Sequence, residues 1–147
     1  MKNIARISFL SIAILVSFSL FSACNKTPIT GAEREIVIGY ANPISDTILA
    51  GFNNHNYKQY SNDFDATMKT ALNEKVFEET TTLIESKIGK YISREIKEVN
   101  KEKQFIVVIY TAKFEKENDV SVRVVFQKYG DKNLVSGLWF NSPNLRK

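Results

Sequence analysis

Few residues in this 147-residue chain have side chains suited to chemistry, and their types and spacing limit what it could be. There is one cysteine, Cys24, and one histidine, His55. A single cysteine closes no disulfide within the chain, and one thiol with one imidazole falls short of a zinc or copper ligand set. His55 sits in the polar run Asn53-Asn54-His55-Asn56, where capping a helix end or facing solvent explains it better than acid–base work. Asp63 and Asp65 are two apart, so on a helix they point in different directions. A helix break or cap accounts for them better than a paired general acid and base does. Tyr57, Tyr60 and Tyr110, with Asp63 nearby, could bring hydroxyls and a carboxylate to a cavity between helix and sheet. The plainer reading makes them core aromatics whose hydroxyls reach the surface. No GxSxG, P-loop or dinucleotide-binding glycine pattern occurs. No residue is therefore assigned as catalytic, and no metal or cofactor is expected.

The elements that must position these residues fall into two halves. Residues 36–40 (IVIGY) read as a short strand or a lead-in packed on the core, and Asn42-Pro43 marks a helix start. Ile44, Ile48, Leu49 and Phe52 then share one face of a helix over about 44–54. Tyr57, Tyr60, Phe64, Met68 and Leu72 recur every three or four residues, as one helix or as two broken near 62–65. Asn73 suits a cap for a further helix whose buried stripe is Val76, Phe77, Leu83, Ile84 and Ile88, ended by Gly89. Residues 91–99 read as a charged edge strand. Residues 104–141 read as three more strands, joined by polar hairpin turns at 116–119 and 130–133. In the first of these three, Phe105, Val107 and Ile109 face opposite to Ile106, Val108, Tyr110, Ala112 and Phe114. In the second, Val120, Val122, Val124 and Phe126 share a face; in the last, Leu134, Leu138 and Phe140 oppose Val135, Gly137 and Trp139. Helices followed by a four-stranded antiparallel meander make an α+β fold.

Composition is ordinary for one globular domain, with 44% apolar and 24% charged residues. The formal charge of +4 is partly local to the N-terminus. Setting Lys2 and Arg6 aside leaves 18 basic against 16 acidic residues, a net of +2, too little to argue for nucleic acid. Residues 1–6 are short and positive, and residues 7–23 (ISFLSIAILVSFSLFSA) are uncharged and apolar, as in a secretory signal. Ser22, Ala23 and Cys24 resemble the lipobox of prokaryotic lipoproteins, although Phe21 stands where leucine is usual. The resemblance implies that Cys24 carries lipid and becomes the first residue of the mature protein, anchored in the cell membrane and facing outside the cytoplasm. An uncleaved anchor, or plain secretion with an incidental cysteine, are the alternatives. Polar residues 25–35 (NKTPITGAERE) read as a tether. The chain thus divides into a leader over 1–23, a lipidated N-terminus and tether over 24–41, an α+β domain over 42–142 and a tail over 143–147.

The blocks FNNHNYKQYSNDFDATMKTALNEKVFE, IGKYISREI, VIYTAKFEK, VSVRVVF and SGLWF, in that order, resemble a bacterial and archaeal domain of unknown function. That domain belongs to the cystatin-like, nuclear-transport-factor-two-like superfamily. The likeness implies a strongly bent four-stranded antiparallel sheet wrapped as a cone around the helices. It carries over no catalytic residue, because superfamily members include both enzymes and non-catalytic binding modules. On the sheet face away from the helices, Val107, Ile109, Val125 and Trp139 should form an apolar patch for a second copy or an envelope partner, unless residues 36–40 cover it. The expected function is a membrane-anchored binding or dimerisation module without chemistry. The alternative is a small-molecule carrier or isomerase-like enzyme whose pocket inside the cone is lined by Tyr57, Tyr60, Asp63 and Tyr110.

Overall fold

The structure, a computed structural model, describes residues 26–147. The signal-like leader and Cys24 lie outside the described residues. The chain forms β1 (Lys26–Pro28), α1 (Gly31–Asn53), α2 (Tyr57–Tyr60), α3 (Ala66–Ala71) and α4 (Glu74–Ile88). There follow β2 (Tyr91–Glu102), β3 (Phe105–Phe114), β4 (Glu117–Tyr129), β5 (Lys132–Asn141) and a short 3-10 turn, Asn144–Arg146. The strands make one antiparallel sheet in the order β1-β2-β3-β4-β5, so the architecture is α+β with five strands rather than the expected four.

The extra strand comes from the stretch read as a tether. Lys26–Pro28 pairs with Asn100–Glu102 of β2, and the Lys26 ammonium meets Glu98. Lys26, Thr27 and Pro28 carry no apolar–polar alternation, so nothing in these three residues signals a strand. Gly31 then opens a single 23-residue helix that runs through Pro43, so residues 36–40 are neither strand nor lead-in and the helix does not start at Asn42. Its buried stripe is Val37, Ala41, Ser45, Ile48 and Phe52, spaced by four, four, three and four. Two members, Ala41 and Ser45, are too small or too polar to show as core in the sequence.

The helix pattern after residue 56 resolves as two short helices. Asn56, Asp65 and Asn73 cap α2, α3 and α4 through their side-chain oxygens, accepting from the N–H of Gln59, Met68 and Val76. Gly51 lets α1 and α2 meet closely. A Cβ there would lie 2.5 Å from the Tyr60 backbone nitrogen, and a backbone cannot yield that much cheaply. On α4 the buried positions are Phe77, Thr81, Ile84 and Ile88, and Leu83 is 57% exposed rather than core. Leu83 is six residues from Phe77, off the three-and-four spacing, and Thr81 takes the core place instead.

Tight two-residue turns at Lys103–Gln104, Glu115–Lys116 and Gly130–Asp131 join the long strands, shorter than the four-residue connections expected. The inner face carries Val108, Tyr110, Ala112 and Phe114 of β3 with Val120, Val122, Val124 and Phe126 of β4, all buried against the helices. A register shift where Val125 pairs with Gly137 but Phe126 with Val135 leaves Ser136 as an extra residue in β5. That one-residue insertion moves Val135 to the core face, away from the Gly137 and Trp139 with which simple alternation groups it. Three further register shifts occur, two between β2 and β3 and one between β3 and β4. The open edge of β2 is blocked where α1 ends. The Asn53 side chain donates to the Tyr91 carbonyl at 2.8 Å and accepts from its N–H at 2.9 Å, in place of a neighbouring strand.

Candidate functional site

Three places deserve comparison as sites: the tyrosine cluster expected between helices and sheet, the outer face of the sheet, and a cleft between α4 and β5.

The expected pocket residues are dispersed. Tyr110, at the centre of β3, is fully buried; its hydroxyl accepts from Ser45 at 3.1 Å and donates to Asn42 Oδ1 at 3.3 Å. The Arg94 guanidinium stacks 4.4 Å from the Tyr110 ring and donates to Asp46 at 2.7 and 3.0 Å and to both oxygens of Asn42. Burial pushes the Tyr110 phenol above its usual range, only partly offset by Ser45 and Arg94, so the hydroxyl stays neutral. The cluster ties β2 and β3 to α1, with its donors and acceptors already paired.

Tyr60 packs edge-on against Phe64 and tilted against Phe77, at centroid distances of 5.2 and 4.6 Å, with its phenol likewise raised by burial. Tyr57 is half-buried and reaches the Lys69 carbonyl at 3.4 Å. Asp63 belongs to another place: its carbonyl accepts from Val135 N–H, its carboxylate from Asn62, and it lines a polar depression with Asn133. Tyr57, Tyr60, Asp63 and Tyr110 therefore share no pocket among the described residues. The physical reason is the turn at residues 61–65, which separates α2 from α3 and breaks the face they would share. His55 lies in the α1–α2 turn at φ 50°, its Nε2 2.7 Å from a Glu85 oxygen on α4. Among the described residues no group of three or more His, Cys, Asp or Glu side chains gathers to hold a metal ion.

Asp65, read only as a cap or a break, has a wider part. Besides Met68 N–H at 2.7 Å, its carboxylate accepts from Ser136 Oγ at 2.7 Å and Tyr129 Oη at 3.3 Å. Burial alone would raise its pKa. The hydrogen bonds from Ser136, Met68, Tyr129 and Thr67 outweigh that and hold it below the ordinary carboxylate value. With the backbone bridge of Phe64 to Val135, this carboxylate clips the helical half to β5.

On the outer face, strand register sets Val107 beside Val125 and Gly137, and Ile109 beside Arg123 and Trp139. Val107 and Val125 are nevertheless buried, Ile109 is half-buried, and Trp139 is 51% exposed. Arg123 donates to Glu102 at 2.7 Å and lies 5.2 Å from the Trp139 ring. Arg123 is opposite Ile109 and Glu102 opposite Phe105, so the ion pair crosses β3 over Val107, the residue midway between. The Trp139 ring in turn folds back over Gly137, where a Cβ would lie 2.4 Å from it. Trp139, Arg123 and Glu102 thus form a strap across four strands, and residues 36–40, which lie within α1, are not its cover.

The third place is a cleft of about 280 Å³ between α4 and the free side of β5, its apolar walls including Ile84, Leu138 and Phe140. Leu83 and Trp139 stand at its rim, and Lys87 contributes the one cation. Leu83 was legible only as core, and its departure from the three-and-four spacing was the signal.

No curated protein and no solved structure matches the chain. A family model described as a protein of unknown function (DUF3887) matches residues 45–136, from the middle of α1 to the bulge in β5, which is more than half of the chain. The chain belongs to this DUF3887 family of unknown function.

Proposed function

We propose that this protein is a lipid-anchored module that faces outside the cytoplasm and binds a partner rather than carrying out a reaction. In this reading the body is a member of the cystatin-like, nuclear-transport-factor-two-like superfamily, and the four register shifts serve to bend its sheet into a cone. The observation that carries the binding role is Trp139. It is the only tryptophan, stands 51% exposed on the outer sheet face, and packs its ring over Gly137 with the Arg123 guanidinium 5.2 Å away. A rigid aromatic already in place loses little side-chain freedom on docking, which is what interface anchors require. A second copy of the chain is the partner proposed first. Light scattering on the body beginning at Asn25 should give a dimer, and Trp139→Asp should give a monomer. A wild-type body that stays monomeric at the highest attainable concentration removes self-pairing.

Anchoring is proposed through acyl chains on Cys24. No helix among the described residues is long and apolar enough to cross a membrane. Because β1 begins at Lys26, one residue separates Cys24 from the sheet, so an anchored domain would sit with its β1–β2 edge against the bilayer. Cys24→Ser should release the protein from membranes or block its maturation. Unchanged partitioning into a detergent phase would count against lipidation.

A further inference from the structure

We propose that the α4–β5 cleft is a binding site for a single-chain anionic amphiphile, with a medium-chain carboxylate as the simplest example. The cleft is separate from the outer sheet face, although Trp139 borders both. It sits beside strand β5, whose outward backbone groups are bridged to other segments only at Val135 among the described residues. Apart from Thr80 its walls are apolar: Ile84 from α4, Leu138 and Phe140 from β5, and Leu145 from the C-terminal turn. Two of the five most exposed large apolar side chains of the described residues, Leu83 and Trp139, stand at its mouth. Exposed apolar side chains concentrated around one hollow mark a place where something apolar is received.

The polar content selects the head group. Apart from Tyr60, whose buried phenol is neutral, Lys87 is the only ionisable residue in the lining. Among the described residues no carboxylate lies within ion-pair distance of it. Its Nζ makes one long contact, 3.5 Å to the Leu145 carbonyl, which leaves donors to spare. A place in the last turn of α4 explains why a cation is tolerated there, but not why apolar residues surround it. One half-buried ammonium matches one negative charge. A phosphate dianion would bring a second negative charge that no other cation in the lining offsets. The volume of about 280 Å³ is at the lower end for ligand pockets, so it suits a short chain rather than a large ring system.

Because Trp139 is the only tryptophan and lies at the rim, its emission reports occupancy directly. The full chain in lipid nanodiscs would be titrated with decanoate and with decanol, lipid partitioning being common to wild type and variants. The expected result is a saturable blue shift with decanoate and weaker binding of decanol. Lys87→Met should weaken decanoate binding about tenfold, the loss of one charge-assisted hydrogen bond, while leaving decanol binding unchanged. Leu83→Asp alters an exposed position, so the fold should survive, and it should abolish both responses. The proposal is overturned if wild type gives no saturable response, if it binds decanol as tightly as decanoate, or if Lys87→Met binds decanoate as wild type does. Thermal melts of both variants separate lost binding from lost folding.

Discussion

Phe52→Ala should lower the unfolding free energy by about 3–5 kcal/mol, the usual cost of emptying a buried phenylalanine site. Phe52 is in the last turn of α1 and is 1% exposed. Its ring stacks on Phe140 of β5 at 5.7 Å and meets Phe114 of β3 edge-on at 5.9 Å, and those two rings touch each other at 6.2 Å. Tyr91 of β2 adds a fourth ring against Phe114 at 5.8 Å. Removing the ring that α1 contributes therefore opens a cavity where the long helix meets the sheet, against Phe114 and Phe140. The alanine also forfeits aromatic pairings worth about 0.5–1.5 kcal/mol each beyond area burial. Urea unfolding with an unchanged slope would measure the loss. A loss under about 1 kcal/mol, the range of an average substitution, would mean that α1 does not close the sheet in this way.

Asp65→Ala should cost about 2–4 kcal/mol at neutral pH, because it removes a helix cap and the charged acceptor for Ser136 together. The effect has a pH signature. The folded carboxylate titrates below its ordinary value of 3.8, so its stabilisation is fully present above that value. It is lost as pH falls through the lower, folded-state value. The gap between wild type and Asp65→Ala should therefore be constant from neutral pH down to about 5 and should narrow in more acid solution. Asp65→Asn keeps an acceptor for Met68 N–H and should lose less, and its gap to wild type should narrow over the same acid range, because the titrating group is the wild-type carboxylate. A gap that does not change with acid would show that the carboxylate's charge contributes nothing.

Much of the fold was written in local pattern. The strand faces of β3 and β4, the caps at Asn73 and Asp65, the positive φ of Gly89 and the order of helices before sheet all follow from spacing and turn chemistry. Three features were not legible, each for its own reason. β1 is three residues whose only structural content is its partner strand. The first half of α1 buries only Val37 and Ala41, too sparse a stripe for a hydrophobic pattern to register. The β5 bulge is one residue that reverses the faces on either side of it.

The candidate sites divide in the same way. One thiol, one imidazole and one indole, and the placing of Val107, Ile109, Val125 and Trp139 on one face, are read from residue types and strand alternation alone. That Val107 is sealed beneath the Arg123–Glu102 pair while Trp139 is left open comes from how the strands pack. Tertiary packing also disperses Tyr60, Asp63 and Tyr110, and sets Lys87 into an apolar cleft. Spacing fixes which way a side chain leaves its own element, because the backbone period is local. What that side chain then meets depends on elements far along the chain, as with Ser136 on Asp65, 71 residues apart, and no local period carries that information.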